Sequence, residues 1–193
     1  MGYIKSIPSP LPTGDDFAEA SRSSGFVGIP YSKCDCQALV EKCLALVGII
    51  CNFRGSNHMW RELVADRMTL AECQAKYGRF IPGTLCFILK YDGSEVKRGY
   101  HDNMGAAVHV GIVLDGMGTV FHSTTGGVQF STISAAGFNR VAKVTCIDYE
   151  RGDRDEQVQG QALREKLLTI IDNLQKATNS LEEVTERMGN NDS

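Results

Sequence analysis

At Pro82-Gly83 the chain changes character, and that change restricts its fold more than any other feature. Before it, apolar residues recur at helical spacing. Leu39, Cys43, Leu46 and Val47 mark one face of a helix that starts near Cys36 and stops at Gly48. Asp15 to Ala20 reads as a shorter helix with an acidic first turn, and Leu63, Leu70 and Ala71 as one or two further helical turns. After it come short β-branched or aromatic runs separated by glycine-rich turns: 85–89, 108–114, 120–123, 128–130 and 141–144. A meander of about five antiparallel strands is expected there. Helices first and strands afterwards predict an α+β domain over residues 1–150, not an alternating βαβ fold.

Residues 151–162 are polar and read as a linker. Beyond them Leu163, Leu167, Ile170, Leu174, Ala177, Leu181, Val184 and Met188 step by 4, 3, 4, 3, 4, 3 and 4. That is an unbroken heptad register, and it predicts a coiled-coil-like helix over 163–188. Its expected partner is another copy of the same helix, giving a homo-oligomer; the alternative is that the stripe packs on its own domain.

Charge and composition exclude several classes. Twenty basic against 23 acidic residues give a formal net charge of −3, without the basic excess of a nucleic-acid binder. No apolar run reaches membrane-spanning length. The opening MGYIKSIPSPLPTGDDF lacks the layout of a secretory signal, so a cytoplasmic chain as synthesised is expected. Met1-Gly2 with Ser6 matches an acylation pattern only formally. The seven cysteines are expected as free thiols, with Cys86 and Cys146 acting as small core residues. Cys34, Cys36 and Cys43 lack the pairing of a closed zinc site, and no metal or other cofactor is expected.

Among the thiols, Cys36 has the most reactive setting. It follows Asp35 where a loop turns into a helix, so it faces unpaired N–H groups and the positive end of the helix dipole, which favour thiolate. Two histidines are its candidate partners. His109 shares a strand face with Gly111 and Val113, while Val108, Val110 and Ile112 take the other face. Gly111 clears space beside it for a ligand or another backbone. His122 lies 13 residues on, across the turn Asp115-Gly116-Met117-Gly118, so the two imidazoles are expected side by side on adjacent strands.

These pieces occur in a recognisable order. Gly28-Ile29-Pro30-Tyr31, then Asp35-Cys36-Gln37-Ala38-Leu39-Val40, then Pro82-Gly83-Thr84-Leu85-Cys86-Phe87, then His109 through His122 resemble the NlpC family of papain-like cysteine peptidases, which cut peptidoglycan stem peptides. The likeness spans roughly residues 15–150. It implies a papain-like domain with Cys36 as nucleophile, His109 as general base and then acid, and His122 as the group orienting His109. It implies hydrolysis between D-glutamate and the following diamino acid, with Tyr31, Asp35 and Gln37 lining the substrate cleft and Asp35 able to hold the substrate amine. Arg54, Asn57, His58 and Trp60 are candidates for the opposite rim, and His101 and Asp102 for substrate contacts from the long stretch 90–107.

The chain departs from the family in carrying Gln37 where serine is usual and Thr84 where aspartate is usual. Within enzymes, an amidase of the CHAP type and a cytoplasmic muropeptide-recycling peptidase are the alternatives. A non-catalytic wall-binding or phage-tail component is the alternative outside them. Without an export signal, action on the wall is expected to follow release by a holin or delivery by a phage tail.

Overall fold

The computed structural model describes residues 3–97 and 99–189, and for Lys97, 152–159 and 180–189 the backbone alone. The Met1-Gly2 pattern lies outside the described residues. By contact density the chain divides after Glu150 into two compact units.

In the first unit the elements run β1 (Ile4–Ser6), α1 (Gly14–Arg22), α2 (Cys36–Leu46), β2 (Ile50–Cys51), α3 (Ser56–Glu62), β3 (Val64–Thr69), α4 (Leu70–Tyr77), β4 (Leu85–Lys90), α5 (Ser94–Lys97), β5 (Ala106–Val113), β6 (Thr119–Thr124), β7 (Gly127–Thr132) and β8 (Arg140–Val144). α1 begins in a capping box, in which the Thr13 side chain accepts from the Asp16 N–H and the Asp16 carboxylate accepts from the Thr13 N–H. α2 begins with Asp35 as N-cap, its Oδ1 accepting from Ala38 N–H at 2.8 Å, so Cys36 is the first helical residue.

The α+β expectation holds, with two differences in the sheet. It has six strands, antiparallel in the order β3-β8-β4-β5-β6-β7, and a separate ribbon joins β1 to β2. Only β4 to β7 form a meander, because β8 returns past them to pair with β4. The helical turns expected around Leu63–Ala71 are split by β3, a strand that exists by pairing with β8. Its own sequence, VADRMT, carries little strand signal.

Alternation along the central strands divides the core in two. Leu85, Phe87 and Leu89 of β4, with Val110 and Ile112 of β5, meet Phe17, Leu39, Val40 and Leu44 of α1 and α2. Cys86, Val113, Val120 and Val141 face the other way, against Phe80, Ile133, Phe138 and the Cys73 thiol of α4. Cys86 and Cys146 are buried core residues, and all seven cysteines are free. Tyr149 ties the end of the unit to its middle, its buried hydroxyl donating to Gly83 O at 2.8 Å and accepting from Val144 N–H at 3.1 Å.

A single helix, α6 (Tyr149–Gly189), runs from there through the second unit. The stretch 151–162, expected as a linker, is helical. Gly152 and Gly160 each cost about 1 kcal/mol against alanine, but the Arg, Glu and Gln between them are good helix formers. Of the heptad positions, Leu163, Leu167, Ile170 and Leu174 are exposed by 52% to 62%. The side chains of Leu181, Val184 and Met188 lie outside the described ones. No helix among the described residues is long and apolar enough to cross a membrane.

Candidate active site

The two histidines meet. His109 Nε2 and His122 Nδ1 are 2.9 Å apart, a hydrogen bond between β5 and β6. The side chain that fixes them is Phe138, from the connection between β7 and β8. Its ring stacks on His109 at 5.3 Å between centroids and meets His122 edge-on at 5.5 Å. Gly111 leaves room for this packing and not for a ligand. A Cβ there would stand 2.9 Å from the Phe138 ring and 3.1 Å from His122 Cβ.

A β-bulge re-aims His109. Ile88 pairs with His109 but Leu89 pairs with Ala107, so Val108 is the extra residue. Strict alternation therefore fails at Val108, which lines the same cleft as His109. That cleft, of about 480 Å³, is bounded by Tyr31, the two histidines and the polar side chains Thr124, Gln129 and Ser131 of β6 and β7. The last three, with Phe138, were not expected from sequence. Gln129 and Ser131 were legible only as alternate residues of a strand whose facing direction depends on His122, opposite Gln129 in the ladder.

Cys36 approaches the same strand from the start of α2. The Tyr31 hydroxyl lies 3.9 Å from its Sγ, and the Val110 N–H, one residue beyond His109, also points at the thiol. Ser123, next to His122, donates to the Cys34 carbonyl and so anchors β6 to the loop before α2. The thiol and the His109 imidazole are not hydrogen bonded to each other among the described residues. Their meeting place is Tyr31, which touches the thiol and borders the cleft of the two histidines.

Electrostatics reverse one expectation. Burial pushes the Cys36 thiol above its ordinary value of 9.0, and the neighbouring Asp35 carboxylate adds to the rise. Hydrogen bonds from Val110, Tyr31 and Gln37 pull the other way and lose. The helix start therefore does not make a resting thiolate. Burial, helped by repulsion from His122, brings His109 down to about 4, and burial lowers His122 as well. Raised and lowered in this way, the thiol and the two imidazoles are all neutral at pH 7. Alkylation of Cys36 by iodoacetamide is expected to keep rising above pH 9, and a plateau of reactivity from pH 6 upward would contradict this.

The same burial makes folding sensitive to acid. Between about 6.5 and about 4 the unfolded chain binds a proton at His109 that the folded chain does not. Stability is complete above that window and falls as the pH drops through it. Denaturant unfolding at pH 7, 5.5 and 4.5 is expected to show the decline, and a His109→Gln variant to show a shallower one.

The remaining expected site residues are placed as follows. Asp35 is exposed beside the thiol while capping α2. Gln37 is occupied, its Nε2 donating to Phe53 O at 2.6 Å and Glu41 Oε1 at 3.1 Å. Trp60, expected at the substrate, is instead a core side chain: it is 3% exposed, lies edge-on to Phe87 at 5.0 Å, and donates from Nε1 to Met104 O. His58 is buried too, its Nδ1 accepting from Arg54 N–H. Asp102 is held by a two-pronged contact with Arg61, at 2.6 and 2.8 Å, which ties that part of the chain to α3. Arg54 lines a smaller recess with Ser56, Asn57 and Tyr100.

No protein-family model matches the chain, and no curated protein matches it. Among solved structures, NlpC1 from Trichomonas vaginalis aligns with 72% of this chain at 15% identity and a TM-score of 0.44. The chain spans 46% of the length of that protein.

Proposed function

We propose that the chain is a cysteine peptidase that hydrolyses an amide bond of peptidoglycan stem peptides, the bond between D-glutamate and the following diamino acid. The observation that carries this reading is the 2.9 Å contact between His109 and His122, in a cleft bordered by Tyr31, whose hydroxyl lies 3.9 Å from the helix-initial thiol. The ordered motifs from Gly28 to His122 supply the substrate class.

Chemistry follows from the pieces. Because His109 uses Nε2 for His122, its Nδ1 is the nitrogen left to take the thiol proton. As that proton leaves, Cys36 Sγ attacks the amide carbon, forming a tetrahedral oxyanion. The Cys36 N–H, first in α2 and without an acceptor inside the helix, is suited to stabilise that charge. His109 passes its proton to the leaving amine, and the acyl group stays on sulfur as a thioester. His109 then takes a proton from a water that attacks the thioester carbon, the C–S bond breaks to release the acid, and His109 returns the proton to the Cys36 thiolate. With a neutral resting pair, proton removal accompanies attack and does not precede it.

Mass spectrometry of defined muropeptides, with intact sacculi in parallel, tests the reading. The native chain should give products ending at D-glutamate, and Cys36→Ala should give none. Cleavage of free peptides alone would indicate recycling of wall fragments, and cleavage of sacculi would indicate action on the wall. No cleavage of either by reduced protein would favour a binding role and overturn the proposal.

A further inference from the structure

α6 presents an apolar stripe that its own described residues do not cover. Leu163, Leu167, Ile170 and Leu174 are each more than half exposed, and so are Leu168 and Ile171 beside them. A helix of 41 residues with such an exposed stripe between Leu163 and Leu174 is a surface made for association. We propose that residues 163–188 join the same segment of further copies of this chain in a parallel coiled coil of more than two strands.

The occupant follows from the register. The 4-3 spacing holds from Leu163 to Met188 without a break, so the stripe complements another helix of the same repeat. Direction follows from charge. By sequence, antiparallel pairing that matches every apolar layer sets Leu163 against Met188 and Leu174 against Ala177. It also opposes Lys166 to Arg187 twice, once at each end. Parallel pairing sets Lys166 against Ile171, Asn173 against Thr178 and Ser180 against Thr185, with no like charges facing.

Strand number follows from residue type. Leucine occupies three of the four a positions, at 167, 174 and 181, and β-branched Ile170 and Val184 occupy two of the four d positions, with Leu163 and Ala177 at the others. That distribution disfavours two strands. Ile171, at an e position, widens the apolar face beyond a two-stranded seam, as larger bundles require.

Light scattering on the full chain provides the test, with unfolding of the first unit followed as a control. The native chain should have the mass of three or four chains. Leu167→Asp with Leu174→Asp should reduce it to one chain without shifting that unfolding, while Gln175→Asp, off the stripe, should leave it unchanged. Mild oxidation of an Ala177→Cys variant should link chains through position 177, which meets itself only in the parallel register. A native mass of one or two chains, a double variant of unchanged mass, or no link at position 177 would overturn the proposal. None of these readings depends on whether the chain cleaves peptides.

Discussion

Cys36→Ala is expected to leave the fold intact and to reduce amide hydrolysis by roughly 10⁴-fold or more, the scale on which an enzyme loses rate when its nucleophile is removed. The fold survives because Cys36 contributes little to it. The residue caps nothing, since the capping contact belongs to Asp35 Oδ1, and alanine is the best helix former at the vacated position. The packing of α2 rests on Leu39, Val40, Cys43 and Leu44, all fully buried. Of the buried cysteines, Cys43 supplies the matching control. Its thiol is pushed up to about 12 by burial, so Cys43→Ala should cost stability through a small cavity and spare the hydrolysis rate of the folded protein. Turnover and unfolding measured on both variants separate the two effects.

The second large effect is expected at His122, and it distinguishes alanine from asparagine. For Nδ1 of His109 to act as base, Nε2 must carry the proton and donate it to His122 Nδ1. His122 then carries its own proton on Nε2, an atom that is buried and has no hydrogen-bond partner among the described residues. Leaving a buried donor unpaired costs about 1–3 kcal/mol, so the working tautomer is held against a penalty. His122→Ala removes the acceptor and frees the His109 ring to turn on Phe138, and a loss of roughly 10²- to 10⁴-fold is expected. Asparagine keeps an acceptor oxygen for His109 and opens room for a water, and activity within about tenfold of the native chain is expected. Equal losses in the two variants would make His122 a packing residue and not a positioning one. Nitrogen chemical shifts of the two rings would report the tautomer directly.

Much of this site was legible because its chemistry is local. Asp35 before Cys36 announces a cap and a helix start in adjacent residues, and the turn 115–118 brings His109 and His122 onto neighbouring strands. What escaped depends on distant partners. β3 is a strand because β8 returns to lie beside it, and nothing in VADRMT announces that pairing. The bulge at Val108 shows only in the register against β4. Phe138 sits in irregular chain more than fifteen residues beyond His122, yet it stacks on both rings. Trp60 looked like a rim residue among polar neighbours, but α3 turns it inward onto Phe87. The state of the thiol was misread for a related reason. A helix start is a sequence feature, whereas the burial that outweighs it arises only when the chain has folded around the sulfur.

The central claim is that one thiol of seven, Cys36, is activated by His109 for attack on a stem-peptide carbonyl. It is tested most directly with a stem-peptide analogue that carries a chloromethyl ketone after D-glutamate, followed by peptide mapping of the labelled protein. The adduct is expected on Cys36 in the native chain and is expected to be largely lost in His109→Ala. Label spread over other cysteines, or labelling of Cys36 at the same rate without His109, would contradict the account.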